Sequence, residues 1–158
     1  MTRLKKISHG VRHWFAYLLI ELPARRIGMD HLIERLEKSN GLLERRITAA
    51  SRRPQNQDIL SRMIGIERWG QRCLRAALGE PLHLEDYEAF CPSGQAWSEL
   101  HDTLRAARQN TIRLGKTLRM AGVDPTTLIP HNQFGEMSLL GWLYYLNLHA
   151  NLVSLRLT

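Results

Sequence analysis

The C-terminal segment of the chain combines a strongly apolar sequence with one regularly spaced polar stripe. The stripe consists of Tyr144, Asn147, Asn151 and Ser154. Spacings of three, four and three residues place all its members on one face of a helix. A buried amide without a hydrogen-bond partner costs roughly 1–3 kcal/mol, so these side chains must meet polar groups, water or a ligand. Either the amides are satisfied inside a helical core, or they line a polar cleft between helices.

Other residues that could bind metal or act as nucleophiles are sparse and poorly grouped. His9 and His13 stand four residues apart, but Gly10 lies between them and chance explains the spacing more simply. Cys73 and Cys91 form no CxxC motif, which is typical of a reducing compartment and predicts a cytoplasmic location. The sequence contains no Gly-x-Ser-x-Gly elbow, phosphate-binding loop or dinucleotide fingerprint. We therefore expect neither a metal nor an organic cofactor.

Apolar residues recur at helical spacing in four segments. These segments are separated by stretches that contain proline or glycine. The predicted helices run from Asp30 to about Ser51, Gln57 to Leu78, Gln95 to Met120, and Leu139 to about Leu157. Two longer connections, residues 80–92 and 123–135, cross between them. No segment alternates with period two over a length that suits a strand. The pattern predicts an all-α fold, a four-helix bundle with crossing connections, over residues 29–158.

Residues 1–28 form a basic and apolar extension that we expect to be helical and to precede this bundle. Its apolar run, residues 14–20, is far shorter than the ~20 residues that a transmembrane helix needs. No signal-peptide cleavage pattern follows the run. An amphipathic helix that lies on the bundle, on a partner subunit or on a membrane surface fits this composition. We expect it to pack on the bundle or on a second subunit through Trp14, Phe15, Leu18 and Leu19.

Charge is distributed unevenly along the chain. Residues 1–75 hold 16 Lys/Arg and 7 Asp/Glu, a net charge of +9, whereas residues 76–158 hold 6 and 8, a net charge of −2. The basic half can attract phosphates or anionic lipid. A solvated surface of arginine-rich helices explains the same charge. No interleaved aromatic residues or recognition-helix pattern marks a specific nucleic-acid site.

Three stretches, in order, resemble the DinB-like (DinB/YfiT) superfamily over roughly residues 30–157. Residues 59–69 read ILSRMIGIERW, similar to a family stretch in which a histidine precedes Glu-Arg by five positions. Residues 134–139 read FGEMSL, similar to the start of the family's final helix. Residues 147–156 read NLHANLVSLR, where the family carries two histidines four residues apart. The resemblance implies a helical bundle from a lineage of thiol-dependent transferases and isomerases that hold a divalent metal.

The metal ligands implied by this resemblance fall on Arg62, Asn147 and Asn151. Arginine has no lone pair to donate, and asparagine amides are poor ligands for zinc or nickel. His149 lies about 200° round the helix from Asn147 and cannot take over the same role. The resemblance therefore implies the fold, whereas these residues oppose the usual metal and its chemistry.

We expect Arg62 to lie where the family's metal would sit, with its guanidinium bonded to the side-chain oxygens of Asn147 and Asn151. Glu67 or water would complete its set of partners. In the alternative arrangement, Arg62 extends into solvent and the asparagines pair with each other or with Tyr144. The predicted ligand-binding cleft comprises Arg62, Glu67, Tyr144, Asn147, Asn151 and Ser154.

Two functions are compatible with these features of the sequence. The first is a metal-free protein that binds a small-molecule ligand or takes part in an interaction, with a homodimer as one such interaction. The second is a thiol-dependent S-transferase-type enzyme that uses a divalent metal or a metal-free cleft. The loss of all three expected imidazoles favours the first.

Overall fold

The computed structural model describes residues 14–82 and 85–158. Five α-helices and a two-stranded sheet form most of this part of the chain, which confirms the mostly helical fold. The helices are α1 (Leu22–Ile27), α2 (Met29–Ala49), α3 (Pro54–Arg75), α4 (Trp97–Met120) and α5 (Leu139–Ser154), and the strands are β1 (Leu128–His131) and β2 (Gly135–Ser138). A π-helical turn at Tyr17–Glu21 precedes α1, and short 3-10 turns occur at Ala76–Leu78 and Tyr87–Phe90.

Local signals set the ends of the long helices within a few residues of the predicted bounds. Pro54 opens α3, where a fixed φ suits the first helical turn and a missing N–H costs nothing. Ser138 caps α5, because its hydroxyl accepts a hydrogen bond of 2.9 Å from the N–H of Gly141. Gly79, at φ +88°, ends the 3-10 extension of α3 in a left-handed conformation that favours glycine. α5 ends three residues earlier than predicted, at Ser154.

A β-hairpin between α4 and α5 corrects the expectation of a fold without strands. β1 and β2 pair antiparallel, with Leu128 opposite Ser138 and His131 opposite Gly135. Each strand has four residues, which is too short for a period-two pattern to be distinguished from a loop. The indole N–H of Trp142 donates a 3.1 Å hydrogen bond to the carbonyl of Ile129. The hairpin is therefore fixed to the first turn of α5.

Each of the four long helices packs mainly on two of the other three. α2 packs mainly on α4 and α5, and α3 packs on the same two helices. One buried cluster includes Leu36, Trp69, Leu118, Trp142 and the inward residues of the hairpin. A second cluster includes Leu43, Ile47, Leu60, Leu104 and Ala150. α5 contributes to both clusters, which explains why its sequence is apolar almost all round.

The N-terminal segment packs on the helical core, as expected, but through different residues. Ala16, Ile20 and Ala24 are buried at regular spacings of four. The residues predicted to make this contact are largely exposed: Trp14, Phe15, Leu18 and Leu19. That prediction is wrong because the small side chains allow the segment to approach closely, and the bulky ones then fall on the outer face. His9 and His13 lie outside the described residues.

Glu21 attaches this segment to the start of α5. Its Oε1 accepts a 2.7 Å hydrogen bond from the N–H of Ser138, where the positive end of the helix dipole favours an anion. The guanidinium Nε of Arg25 lies 3.7 Å from the other carboxylate oxygen. A Cβ atom at Gly141 would overlap the Glu21 carboxylate, so a larger residue there would displace the carboxylate from Ser138. A single buried carboxylate thus fixes the position of the segment.

Two glycines of α3 allow neighbouring segments to pack closely against the helix. A Cβ atom at Gly65 would overlap Sγ of Cys91 and lie 2.9 Å from the carbonyl oxygen of Tyr87. A Cβ atom at Gly70 would lie 2.6 Å from Cδ2 of Leu146 on α5. The connection at residues 87–91 and α5 therefore both approach α3 at glycines.

We predict that Gly65→Ala lowers the free energy of unfolding by about 1–3 kcal/mol, because the added methyl displaces the 87–91 connection. The matched control is Gly41→Ala, at an exposed position in α2 with no atom within 4 Å of the added Cβ. It should raise the free energy of unfolding by about 0.5–1 kcal/mol, since alanine favours helix. Urea unfolding measures both; similar stabilisation by the two substitutions would show that the connection does not press on α3.

Candidate functional site

The polar stripe of α5 faces α2 and α4. Asn147 Oδ1 accepts hydrogen bonds of 2.6 Å from Nη2 of Arg108 and 2.7 Å from the hydroxyl of Ser39. The side-chain N–H of Asn151 donates a 2.9 Å hydrogen bond to the backbone carbonyl of Asn147 and lies 3.3 Å from its Oδ1. The two asparagines therefore pair with each other, as in the alternative arrangement considered from the sequence.

Arg62 does not make the contact predicted for it. It is exposed on α3, on the same side as Ile59 and Ile66, and the guanidinium bonded to Asn147 belongs to Arg108. At this level of α3 the inward positions belong to Met63 and Glu67, so Arg62 faces outward. The prediction of an inward Arg62 bonded to both asparagines is wrong.

Arg108 and Glu67 form an ion pair in the centre of the molecule. Nη1 of Arg108 lies 2.7 Å from Oε1 of Glu67, and their side chains are 1% and 2% exposed. The hydroxyl of Thr111 donates to the second oxygen of Glu67. Gln71 donates to the Thr111 hydroxyl at 2.9 Å and to the carbonyl of Ala107 at 2.7 Å. Glu67 therefore lies within the core and not in a cleft open to ligands.

A signal in the sequence marks Arg108 as buried. Arg108 stands four residues from Leu104 and four from Ile112, in the middle of the apolar stripe of α4. An arginine at such a position must find several acceptors. Glu67, Ser39 and Asn147 supply them from three other helices.

The remaining members of the predicted cleft are also engaged inside the fold. The Ser154 hydroxyl accepts a 2.7 Å hydrogen bond from Nη1 of Arg46 and donates to the carbonyl of Asn151 at 2.9 Å. Tyr144 is half-buried against the core cluster around Trp142. Of the six predicted residues, Glu67, Asn147, Asn151 and Ser154 therefore lie in or beside the buried network. Arg62 lies on a surface cleft between α3 and α5.

We predict that Arg108→Met lowers the free energy of unfolding by about 3–5 kcal/mol, because Glu67 would be left buried and uncompensated. Arg113→Met, at an exposed position of the same helix, should change it by no more than about 0.5 kcal/mol. The double variant Glu67→Met/Arg108→Met should recover most of the loss. Tryptophan fluorescence in urea compares the three proteins. Equal stability of Arg108→Met and Arg113→Met would contradict a structural role for the pair.

A surface cleft of about 800 Å³ lies between α3 and α5. From α3 it is lined by Gln55, Asp58, Ile59, Ser61, Arg62 and Ile66, and from α5 and the residues after it by Tyr145, His149, Val153 and Arg156. The connection containing Tyr87, Glu88 and Cys91 closes one side, and Gln133 of the hairpin turn reaches the cleft. The four lining residues from Tyr145 to Arg156 recur at spacings of four, four and three. They form a second stripe beside that of Asn147 and Asn151, and the sequence prediction missed it.

Uncharged hydrogen-bonding groups from two elements meet in the cleft. Burial lowers the pKa of His149, with nearby Glu67 opposing the shift, so its imidazole is mainly neutral at pH 7. Burial raises the pKa of Tyr145 to about 12 and keeps its hydroxyl protonated. Burial also raises the pKa of the Cys91 thiol, although Arg62 opposes that shift. A protonated thiol is a weak nucleophile, so the cleft favours hydrogen bonding over covalent chemistry.

Four charged side chains line the same cleft. Arg62 and Arg156 are cationic, and Asp58 and Glu88 are anionic. None of the four forms an ion pair with another residue in the ranges 14–82 and 85–158. The cleft therefore offers a ligand both a cation and an anion, beside the apolar surface of Ile66.

Behind the cleft, His131 is 5% exposed and lies among aromatic rings. Four rings have centroids 4.6–4.9 Å from the imidazole: Trp69, Phe134, Trp142 and Tyr145. Its Nδ1 accepts backbone N–H groups of Gln133 at 3.1 Å and Phe134 at 3.3 Å. Burial lowers the pKa of His131 to about 4. The neutral imidazole thus orders the hairpin turn and supports Tyr145 from behind.

We predict that the protein loses stability as the pH falls from about 6.5 to about 4. In this window the unfolded chain binds a proton at His131 that the folded state excludes, so protonation favours unfolding by roughly 3 kcal/mol in total. His131→Asn should flatten the dependence, since an asparagine oxygen can still accept the turn N–H groups but does not titrate. His31→Asn, at an exposed histidine, is the control. An unchanged pH profile in His131→Asn would refute the assignment.

The resemblance placed metal ligands at Arg62, Asn147 and Asn151, whose side chains do not suit a metal. Arg62 faces the cleft, whereas Asn147 and Asn151 face away from it and bond within the core. Across the described portions of the chain, no group of three His, Cys, Asp or Glu residues is arranged to hold a metal ion.

No protein-family model matches this chain, and no curated protein or solved structure matches it. In residues 14–82 and 85–158, no helix has both the length and the apolar character needed to cross a membrane.

Proposed function

We propose that this protein is a DinB-like four-helix bundle that binds a small organic ligand in the cleft between α3 and α5, without the family's metal. Support for the fold comes from the alternating packing of the four long helices and from the two crossing connections. The three stretches of resemblance lie on α3, at the junction of β2 with α5, and on α5. Of these elements, α3 and α5 border the cleft.

The observation that carries the proposal is the cleft itself. Its volume of about 800 Å³ lies within the range of roughly 300–1,000 Å³ typical of small-molecule sites. Two facing helices and a connection contribute hydrogen-bonding groups, and the floor near Tyr145 rests on the His131 aromatic cluster. A rigid floor and converging polar groups are characteristic of a preformed binding site.

The lining indicates the class of ligand. Arg62 and Arg156 suit a carboxylate, and Asp58 and Glu88 suit an ammonium group. Apolar side chains between them suit a hydrocarbon portion. We infer a zwitterion with an apolar body, of the size of a free amino acid or a short peptide.

Binding accounts for the cleft better than the S-transferase alternative. That enzyme would have to activate the thiol of a co-substrate, and His149 is the candidate base for this step. The Cys91 thiol and the Tyr145 hydroxyl both remain protonated near neutral pH, so neither supplies an anion for the reaction. Thiol-dependent turnover lost in His149→Gln would favour the enzyme.

We predict that apolar amino acids or their dipeptides raise the melting temperature, and that analogues blocked at the amino or carboxyl group raise it less. Arg62→Ala should weaken binding of the best compound about tenfold or more, because a carboxylate would lose its charged partner. Arg68→Ala is the control, an exposed arginine of α3 outside the cleft. Calorimetry on the two variants compares the affinities. Failure of every zwitterion to bind, or equal binding by both variants, would reject this ligand class.

A further inference from the structure

The N-terminal segment presents a contiguous apolar surface to solvent. Trp14 and Phe15 are 67% and 60% exposed, and Tyr17, Leu18 and Leu19 are exposed as well. Single exposed apolar residues are ordinary, but a contiguous group of this kind marks an interaction surface. None of these residues lines the cleft between α3 and α5.

The fold itself holds this surface outward. The opposite face of the segment is buried through Ala16, Ile20 and Ala24. The Glu21 carboxylate bonds to the backbone N–H of Ser138 at the start of α5. Rotating the segment so that Trp14 and its neighbours face inward would break this hydrogen bond. It would also move the Glu21 side chain out of its buried position. The apolar residues are therefore displayed on an anchored segment.

The sequence of the N-terminal segment carries a net positive charge. Residues 1–28 hold six Lys/Arg and one acidic residue, Glu21, which is buried. Arg25 and Arg26 are exposed in α1, directly after the π-helical turn that carries Leu18 and Leu19. The guanidinium of Arg25 lies 5.9 Å from the ring centroid of Tyr17 at the edge of the apolar surface. The same region thus combines aromatic and aliphatic side chains with cations and exposes no acid among its described residues.

We propose that residues 14–26 dock on the surface of an anionic phospholipid bilayer. Trp14, Phe15, Leu18 and Leu19 would enter the boundary between headgroups and acyl chains, and Arg25 and Arg26 would meet lipid phosphates. Charge decides between this partner and a second copy of the chain. Two copies would bring together segments that each carry +5 over residues 1–28, whereas anionic lipid complements both the charge and the apolar face.

The test uses the full chain and vesicles of phosphatidylcholine, with and without phosphatidylglycerol. The protein should sediment with the anionic vesicles, and binding should weaken as salt rises. Phe15→Ser/Leu19→Ser should reduce the affinity for anionic vesicles about tenfold or more, because it removes apolar area that would enter the bilayer. Both side chains are exposed, so the substitutions leave the core unchanged. Leu152→Ser/Leu155→Ser removes two exposed leucines from the other end of the chain and should bind as the wild type does.

Tryptophan emission provides an independent measurement. Trp69, Trp97 and Trp142 are buried, so Trp14 dominates quenching by acrylamide. Anionic vesicles should shift its emission to the blue and reduce quenching. Equal binding to neutral vesicles, or binding by Phe15→Ser/Leu19→Ser equal to wild type, would overturn the proposal. A dimer in sedimentation equilibrium that this variant abolishes, without vesicle binding by the wild type, would assign the surface to a second copy instead.

Discussion

The buried ion pair between Glu67 and Arg108 is the interaction on which the arrangement of the helices depends. Two charges removed from water are costly unless hydrogen-bond partners surround them, and here the partners come from different helices. α3 supplies Glu67, α4 supplies Arg108 and Thr111, α2 supplies Ser39, and α5 supplies Asn147. A shift of any one helix along its neighbours would leave a buried polar group without a partner. The network therefore specifies the register of the four helices, whereas the apolar clusters supply the driving force for packing.

This register also gives α5 two polar faces with different roles. Asn147 and Asn151 point into the network, and Tyr145 and His149 point toward the cleft. Because the inner face is fixed by hydrogen bonds, the outer face is held at a constant position opposite α3. The neutral His131 behind Tyr145 adds a second support from the hairpin. The cleft is thus bordered by rigid elements on several sides, as a preorganised binding site requires.

The sequence was sufficient to predict the helices, because their signals are local: periodic apolar residues, a proline at the start of α3 and Ser138 at the start of α5. It also identified Asn147 as an acceptor that needs a partner. The partner was assigned to Arg62 from the resemblance, although Arg108 stands within the apolar stripe of α4 and Arg62 stands only beside that of α3. The four-residue strands were too short to leave a pattern. The cleft residues on α5 were missed because His149 was judged only against the spacing of metal ligands.

The contact between Glu21 and Ser138 has a consequence for the order of folding. It joins residues 117 positions apart, whereas the pair between Glu67 and Arg108 spans 41. Closing a longer loop costs more chain entropy, and during synthesis the partner of Glu21 emerges only after α2, α3 and α4 have been made. The N-terminal segment therefore lacks its attachment site until the start of α5 has been made. During that interval the side chains of Ala16, Ile20 and Ala24, which are buried in the folded protein, remain without their packing partners.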